Sequence, residues 1–224
     1  MTLSTGAKNR EWNVQSGLRI ALAKGRLLDP TVRIFESLGY DLSDARRSRK
    51  LVIEDPAHGA RFLIAKPMDV PIYVEYGAAD VGIVGQDALY ESGTNVYEPL
   101  ALNYGHCRLV LAGKPEYLNA EWKMLAGLRI ATKYPRVAKK YFAARGLSAE
   151  IIEVYGSVEL APGVGLADLI VDVVDTGRTL KENGLVELDE LFRSQAALIV
   201  NRASHTLRLE VVRELMERIK EMQK

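Results

Sequence analysis

Leu18–Arg26 reads LRIALAKGR, and Leu128–Arg136 reads LRIATKYPR. Each is a short apolar run that empties into basic residues. Runs of this length, too short for a helix and bounded by turn residues, are expected of strands buried on both faces. Each run is also followed by a helix signal. Asp29-Pro30 offers an N-cap acceptor with proline at the first helical position, and Pro135–Arg145 predicts the matching helix. The same opening occurs twice, so the expected fold is α/β, with two similar lobes and a cleft between them favoured over one continuous sheet.

The stretches between agree with that plan. LVIE and RFLIA predict strands around Asp55-Pro56 and Gly59, and Asp69 and Pro71 open a second helix that ends at Gly77. DVGIVG predicts a strand, followed by a short helix over Gln86–Ser92. In the second half, CRLVLAG, EIIEV, ADLIVDVV and AALIVN predict strands. Short helices are expected at Val158–Gly165 and Thr176–Asn183, and Pro115–Gly127 is expected to be a surface connection. Strands alternating with helices imply a largely parallel sheet. The last helix is expected over His205–Met222, with Val211, Leu215, Ile219 and Met222 on its apolar face.

Composition narrows the function classes. Lysine and arginine number 30 against 29 acids, a net charge of +1, so no global charge points to nucleic acid or a lipid surface. The single cysteine, Cys107, permits no internal disulfide, which fits a reducing cytoplasm. It reads as a buried strand residue. The polar start of the chain, residues 1–16, has no apolar signal core and is expected to be a mobile tail. His58, His106 and His205 lack the spacing of metal ligands.

The chemistry concentrates at Leu169–Gly184, LIVDVVDTGRTLKENG. Ligands of open α/β sheets sit beyond the carboxyl ends of the strands. Here a strand ends in two acids, Asp172 and Asp175, and then in Thr176, Gly177, Arg178 and Thr179. A helix start suits phosphate, glycine lets it approach, and the threonines add hydroxyl donors. Acids repel phosphate but accept from sugar hydroxyls, so a phosphorylated sugar meets both needs. An Asp N-cap before an ordinary helix explains DTGRT equally well when that motif stands alone. The second acid favours the sugar phosphate.

IVDVVDTGRT resembles the acid-acid-x-x-x-T-G-x-T pattern of phosphoribosyl pyrophosphate sites. With GSVELAPGVGLADLIVD before it, the chain resembles the ATP phosphoribosyltransferase family. ALAKGRLL, DVPIYVEYGAADVGIVGQDAL, RIATKYPRVAKKYF and LIVNRAS match in order, so the likeness runs from Leu18 to Ser204. It implies two lobes of the type II periplasmic-binding-protein kind: residues 17–106 with 200–224, and residues 107–199 carrying the donor loop. Crossings between the lobes are expected near Cys107–Gly113 and Ala196–Asn201, with the last helix packed back on the first lobe.

The resemblance implies an activity and a set of residues. The family joins phosphoribosyl pyrophosphate to N1 of ATP with Mg2+, releases pyrophosphate, and so opens histidine biosynthesis. By its pattern Asp172 and Asp175 face the ribose, and Thr176, Gly177, Arg178 and Thr179 the 5′-phosphate. Arg178 reads equally as a solvent-facing residue. Lys24, Gly25 and Arg26 are implied to reach the pyrophosphate, with Arg49 assigned to the same charge. Without the resemblance, Arg46–Lys50 reads as a solvated loop. Glu159 is implied as a nucleotide contact, though a capping role fits it too. Asp87 either caps a helix or faces the cleft, and Tyr134 either stacks on adenine or packs before Pro135.

The metal is implied to ride on substrate phosphates, with no protein ligands. The absence of a regulatory domain after the last helix resembles the short form of the family. That form implies a histidyl-tRNA-synthetase-like regulatory subunit in a hetero-oligomer, a hetero-octamer by analogy. Competing readings are a solute-binding module, a single-domain phosphoribosyltransferase and an inactive subunit. The acid-plus-TGRT site argues against the first, KGR and GSVELAP against the second, and the intact donor loop against the third.

Overall fold

The computed structural model describes residues 17–119, 122 and 127–223. The expected tail, residues 1–16, lies outside them. The first half runs β1 (Arg19–Ala23), α1 (Leu28–Ser37), α2 (Ser43–Arg47), β2 (Val52–Asp55) and β3 (Ala60–Ala65). It continues with α3 (Val70–Glu75), β4 (Val81–Gly85), α4 (Gln86–Ser92) and β5 (Tyr97–Ala101). The second half holds β6 (Cys107–Gly113), β7 (Leu128–Thr132), α5 (Pro135–Ala143) and β8 (Ala149–Glu153). Then come β9 (Leu169–Val174), α6 (Arg178–Glu182) and β10 (Val186–Ser194). The chain ends with β11 (Ala196–Val200), α7 (Arg202–Leu207) and α8 (Leu209–Glu221).

These strands build two sheets. The first is six-stranded, in the order β2-β3-β1-β4-β11-β5, and the second five-stranded, in the order β10-β6-β9-β7-β8. β1 pairs parallel with β3 and β4, and β7 parallel with β8 and β9. In the second sheet both faces are covered. Leu109, Leu111, Ile130, Leu169 and Val171 point into one core, and Val110, Ala112, Ala131 and Ile170 into the other. That is why the central strands read as continuous apolar runs rather than alternating ones.

The strand-to-sheet assignment differs from expectation at the crossings. The whole of Cys107–Gly113 belongs to the second sheet, and Ala196–Val200 pairs with β4 and β5 in the first. The chain therefore crosses at residues 102–106 and at Gln195. A fully buried strand reads the same in either sheet, so sequence alone cannot assign it. Two strands carry no apolar run at all. β5 is an exposed edge strand containing Pro99, which sheets tolerate at edges, and β10 is a half-buried edge strand rich in acids.

Helix ends also shift. α1 starts at Leu28, capped at Leu27, with Asp29 inside the first turn and making no cap bond. The expected last helix is broken at Arg208 into α7 and α8. The Asn201 side chain caps α7 by accepting from the Ser204 N–H at 2.9 Å. Val212, Leu215 and Ile219 form the buried face of α8 and join the core of the first sheet, while Val211 and Met222 are exposed. Pro115–Asn119 is a 3-10 turn, and Trp122 beyond it is buried in the second lobe's core.

Candidate active site

Parallel strands end together, and here both sheets bring their carboxyl ends to the crossings. Lys24, Gly25 and Arg26 follow β1, and Asp87 follows β4. Because β2 runs antiparallel, with Val52 opposite Leu63 of β3, Arg49 stands just before β2 at the same end of the sheet. In the second sheet Lys133 and Tyr134 follow β7, and Asp175 to Thr179 follow β9. Cys107 at the start of β6 pairs with Ser194 at the end of β10, again at that end.

On the second lobe, Glu159 and residues 172–180 line a concavity of about 180 Å3. Asp172 is buried at 7% exposure, and its Oδ1 accepts from the Val173 N–H at 2.8 Å. Burial raises its pKa above the ordinary carboxylate value, opposed chiefly by the nearby Lys133 charge; Glu159 and Asp87 add to the rise. Asp175, Thr176, Arg178 and Thr179 are exposed. Gly177 sits at φ +76°, a left-handed conformation that favours glycine, and caps α6. The helix is shorter than Thr176–Asn183, so the threonine at 176 lies in the loop before it. The N–H groups of a first helical turn have no intrahelical acceptor and point outward from this loop.

On the first lobe, Lys24 and Gly25 are exposed, and Gly25 turns the chain at φ +85°. Arg26 reaches back to the crossing. Its Nη1 donates to the Gly105 carbonyl, and its Nη2 approaches Cys107 Sγ at 2.9 Å and Asp87 Oδ1 at 3.5 Å. Arg49 is exposed between two paired neighbours: Arg46 bonds Asp29 and Glu36, and Lys50 bonds Asp44. Cys107 is buried, and burial pushes its thiol pKa up, so it is held as a thiol.

Two residues with open expectations now have places. Asp87 is buried in α4 and makes no cap; Gly85 is the N-cap. Its Oδ1 accepts from the Ser194 hydroxyl at 2.8 Å and its Oδ2 from the Tyr134 hydroxyl at 3.1 Å. Tyr134 is likewise buried, packed in the second lobe's core, so its ring does not stand open for stacking. Burial first, and the Asp87 charge next, hold the phenol protonated far above its usual range.

Sequence reasoning passed over Lys133, Glu91 and Ser194. Lys133 had a signal, because a basic residue follows the opening strand in both halves. Glu91 and Ser194 had none, since their partners lie on the opposite lobe. Among the described residues no group of three or more histidines, cysteines or acids is disposed to hold a metal ion, and no helix is long and apolar enough to cross a membrane.

Comparisons with known proteins agree over nearly the whole chain. A family model described as HisG, ATP phosphoribosyltransferase, matches residues 66–221. The ATP phosphoribosyltransferase of Caldanaerobacter subterraneus subsp. tengcongensis is 47% identical over 206 residues, covering 91% of this chain and 96% of that one. The one from Symbiobacterium thermophilum is 49% identical over 212 residues, covering 92% and 95%. Among solved structures, a chain of the HisG:HisZ ATP phosphoribosyl transferase complex from Thermotoga maritima is 36% identical, with a TM-score of 0.80 over 92% of this chain and 98% of that one. The alkanesulfonate-binding protein SsuA of Xanthomonas axonopodis pv. citri, 14% identical with a TM-score of 0.54 over 92% of this chain and 72% of its own, shares the fold alone. The fold is thus of the two-lobed binding-protein kind, and the chain belongs to the ATP phosphoribosyltransferase family.

Proposed function

We propose that this chain transfers the phosphoribosyl group of phosphoribosyl pyrophosphate to N1 of ATP, giving N1-(5-phosphoribosyl)-ATP and pyrophosphate, the first step of histidine biosynthesis. One observation carries the reading. The acid pair with its threonine-glycine loop and the KGR loop with Arg49 stand at the carboxyl ends of two sheets that meet at the crossings.

In this reading Asp172 and Asp175 accept from the ribose 2′- and 3′-hydroxyls. Thr176, Gly177, Arg178 and Thr179 hold the 5′-phosphate through hydroxyls, backbone N–H groups and one guanidinium. Glu159, at the rim of the same concavity, contacts the nucleotide. Lys24, Gly25, Arg26 and Arg49 receive the pyrophosphate. The lone pair of adenine N1 attacks the ribose C1, the bond from C1 to the pyrophosphate oxygen breaks, and its electron pair leaves with pyrophosphate. N1 carries no proton to remove, so no strong base is required. The rate comes from placement and from guanidinium donors meeting the charge that grows on the leaving group.

Mg2+ would be held by phosphate oxygens of the substrate rather than by protein ligands, and would help neutralise the leaving group's charge, as suits an ion that prefers oxygen ligands and keeps some of its waters. The regulatory partner is inferred from the HisG:HisZ complex, whose HisG chain this one spans almost end to end. We place the pair in the cytoplasm as a hetero-oligomer, a hetero-octamer by analogy. The test is an ultraviolet assay. N1-substituted adenosine absorbs differently from ATP, and the signal should appear only with ATP, phosphoribosyl pyrophosphate and Mg2+ together. No signal, with or without the partner subunit, contradicts the proposal.

A further inference from the structure

α4 carries Asp87 and Glu91 four residues apart, on one face of the helix. Both reach from the first lobe to the strand-to-helix corner of the second. Tyr134 donates its hydroxyl to Asp87 Oδ2 at 3.1 Å. One turn on, the N–H groups of Arg136 and Val137 donate to Glu91 Oε1 and Oε2 at 2.9 and 3.0 Å. A carboxylate of one lobe thus satisfies the open N–H donors that begin α5 in the other. Glu91 is half-buried there.

The same face of α4 is tied to both crossings. Asp87 exchanges two hydrogen bonds with Ser194, the last residue of β10: the Asp87 N–H donates to Ser194 Oγ at 3.0 Å, and that hydroxyl donates to Asp87 Oδ1 at 2.8 Å. Arg26 Nη2 meets the same Oδ1 at 3.5 Å and Cys107 Sγ at 2.9 Å, while Nη1 donates to the Gly105 carbonyl. A guanidinium has five N–H donors. Those on Nη2 are taken, and the Nε–H with one Nη1–H remains for a further acceptor.

We propose that Asp87 is a positioning residue of the transfer reaction: it fixes the Arg26 guanidinium at the crossing, in the lobe arrangement that Tyr134 and Glu91 hold. Leaving-group stabilisation is then tied to the docking of α4 on the start of α5. An arginine on a flexible stem would otherwise lose side-chain entropy each time it met the pyrophosphate. The inference rests on the reading of Arg26 as a pyrophosphate ligand.

Kinetics of four variants test it, measured on the chain alone and with its regulatory partner: Asp87→Asn, Tyr134→Phe, Arg26→Ala, and Arg26→Ala with Asp87→Asn. Misplacement by about 1 Å costs on the order of 10²-fold in rate. Asp87→Asn should therefore lose about that in kcat while KM for both substrates changes far less. Tyr134→Phe should show a smaller loss of the same kind. The double variant should be no slower than Arg26→Ala, because the two residues act through one group. A merely structural Asp87 would lower the melting temperature and leave kcat of the folded protein unchanged, which would overturn the proposal. Additive losses in the double variant would overturn it too. Should Asp87→Asn not fold, Tyr134→Phe decides, since it removes one hydroxyl and keeps the ring: unchanged kcat overturns the proposal. Unchanged kcat in Arg26→Ala would instead remove the leaving-group reading on which it rests.

Discussion

Lys133 Nζ stands 4.0 Å from Asp172 Oδ2, each at the carboxyl end of a neighbouring parallel strand. The pair faces the proposed donor site. The Asp172 carboxyl is buried, so its pKa is raised, and the Lys133 charge is the main force opposing that rise. Replacing Lys133 with Ala should raise it further. If Asp172 must be ionised to accept from the ribose, activity falls as pH drops through that pKa. The acidic limb of the profile of kcat/KM for phosphoribosyl pyrophosphate should therefore move to higher pH in Lys133→Ala. A limb that stays in place would separate Lys133 from Asp172.

Asp172→Asn should split binding from stability. The folded pKa is raised, so the folded chain binds the proton more tightly than the unfolded one. The stabilising contribution of the protonated form is complete below the unfolded value and is lost as pH rises through the folded one. At neutral pH the wild-type chain thus carries a buried charge that asparagine removes. The variant should melt higher than wild type at pH 7, with the difference vanishing in acid, while KM for phosphoribosyl pyrophosphate rises roughly tenfold or more, as loss of about 1.4 kcal/mol in a charged hydrogen bond would give. Equal melting curves at pH 7 would refute the charge argument.

Asp80 shows the opposite balance. Its burial works to raise the pKa, but side-chain and backbone hydrogen bonds from Arg19 and the Ser204 hydroxyl bond outweigh it, and the net shift is downward. Asp80 Oδ1 lies 2.9 Å from Arg19 Nη2 and 2.7 Å from Ser204 Oγ, so the acid joins β1 to α7. Its contribution is present above the ordinary carboxylate range and is lost as pH falls through the folded value. Breaking a buried pair of this kind costs about 3–5 kcal/mol. Denaturant titration of Asp80→Asn should show a loss of that order, with the donor loop's binding constants unchanged in the folded protein.

Gly177→Ala isolates the backbone of the donor loop. A Cβ there would meet Glu187 Oε1 at 3.6 Å and Val174 Cγ1 at 3.9 Å, ordinary contacts, so there is room for the methyl group. The φ of +76° is the obstacle, worth about 1–2 kcal/mol for an L-residue. Calorimetry should show weaker phosphoribosyl pyrophosphate binding with ATP binding preserved. Equal loss for both substrates would mean that the loop serves the whole cleft rather than the 5′-phosphate.

Legibility in the sequence followed burial. β1, β4, β7 and β9 announce themselves because their central residues are buried on both faces and form apolar runs, with Arg19, Arg129, Thr132 and Asp172 as the exceptions. β5 and β10 do not, because neither edge strand carries a continuous apolar run: β5 contains Pro99, and β10 sets Glu187, Asp189 and Glu190 among its apolar residues. Sheet membership of Ala196–Val200 was illegible for the reverse reason, since a wholly apolar strand fits either sheet. In the site, Asp172, Asp175 and the DTGRT loop were readable because their spacing is local. The junction of Asp87 and Glu91 with Tyr134, Arg136 and Val137 was not, because it joins residues some 45 positions apart and two of its donors are backbone N–H groups.

The most direct test labels the donor. The chain is incubated with ATP, Mg2+ and phosphoribosyl pyrophosphate carrying carbon-13 at ribose C1, and the product is read by nuclear magnetic resonance. The labelled carbon should couple to the adenine carbons flanking N1, with pyrophosphate released in equal amount. Label that stays in phosphoribosyl pyrophosphate, or that appears in ribose 5-phosphate beside unchanged ATP, would contradict transfer to N1.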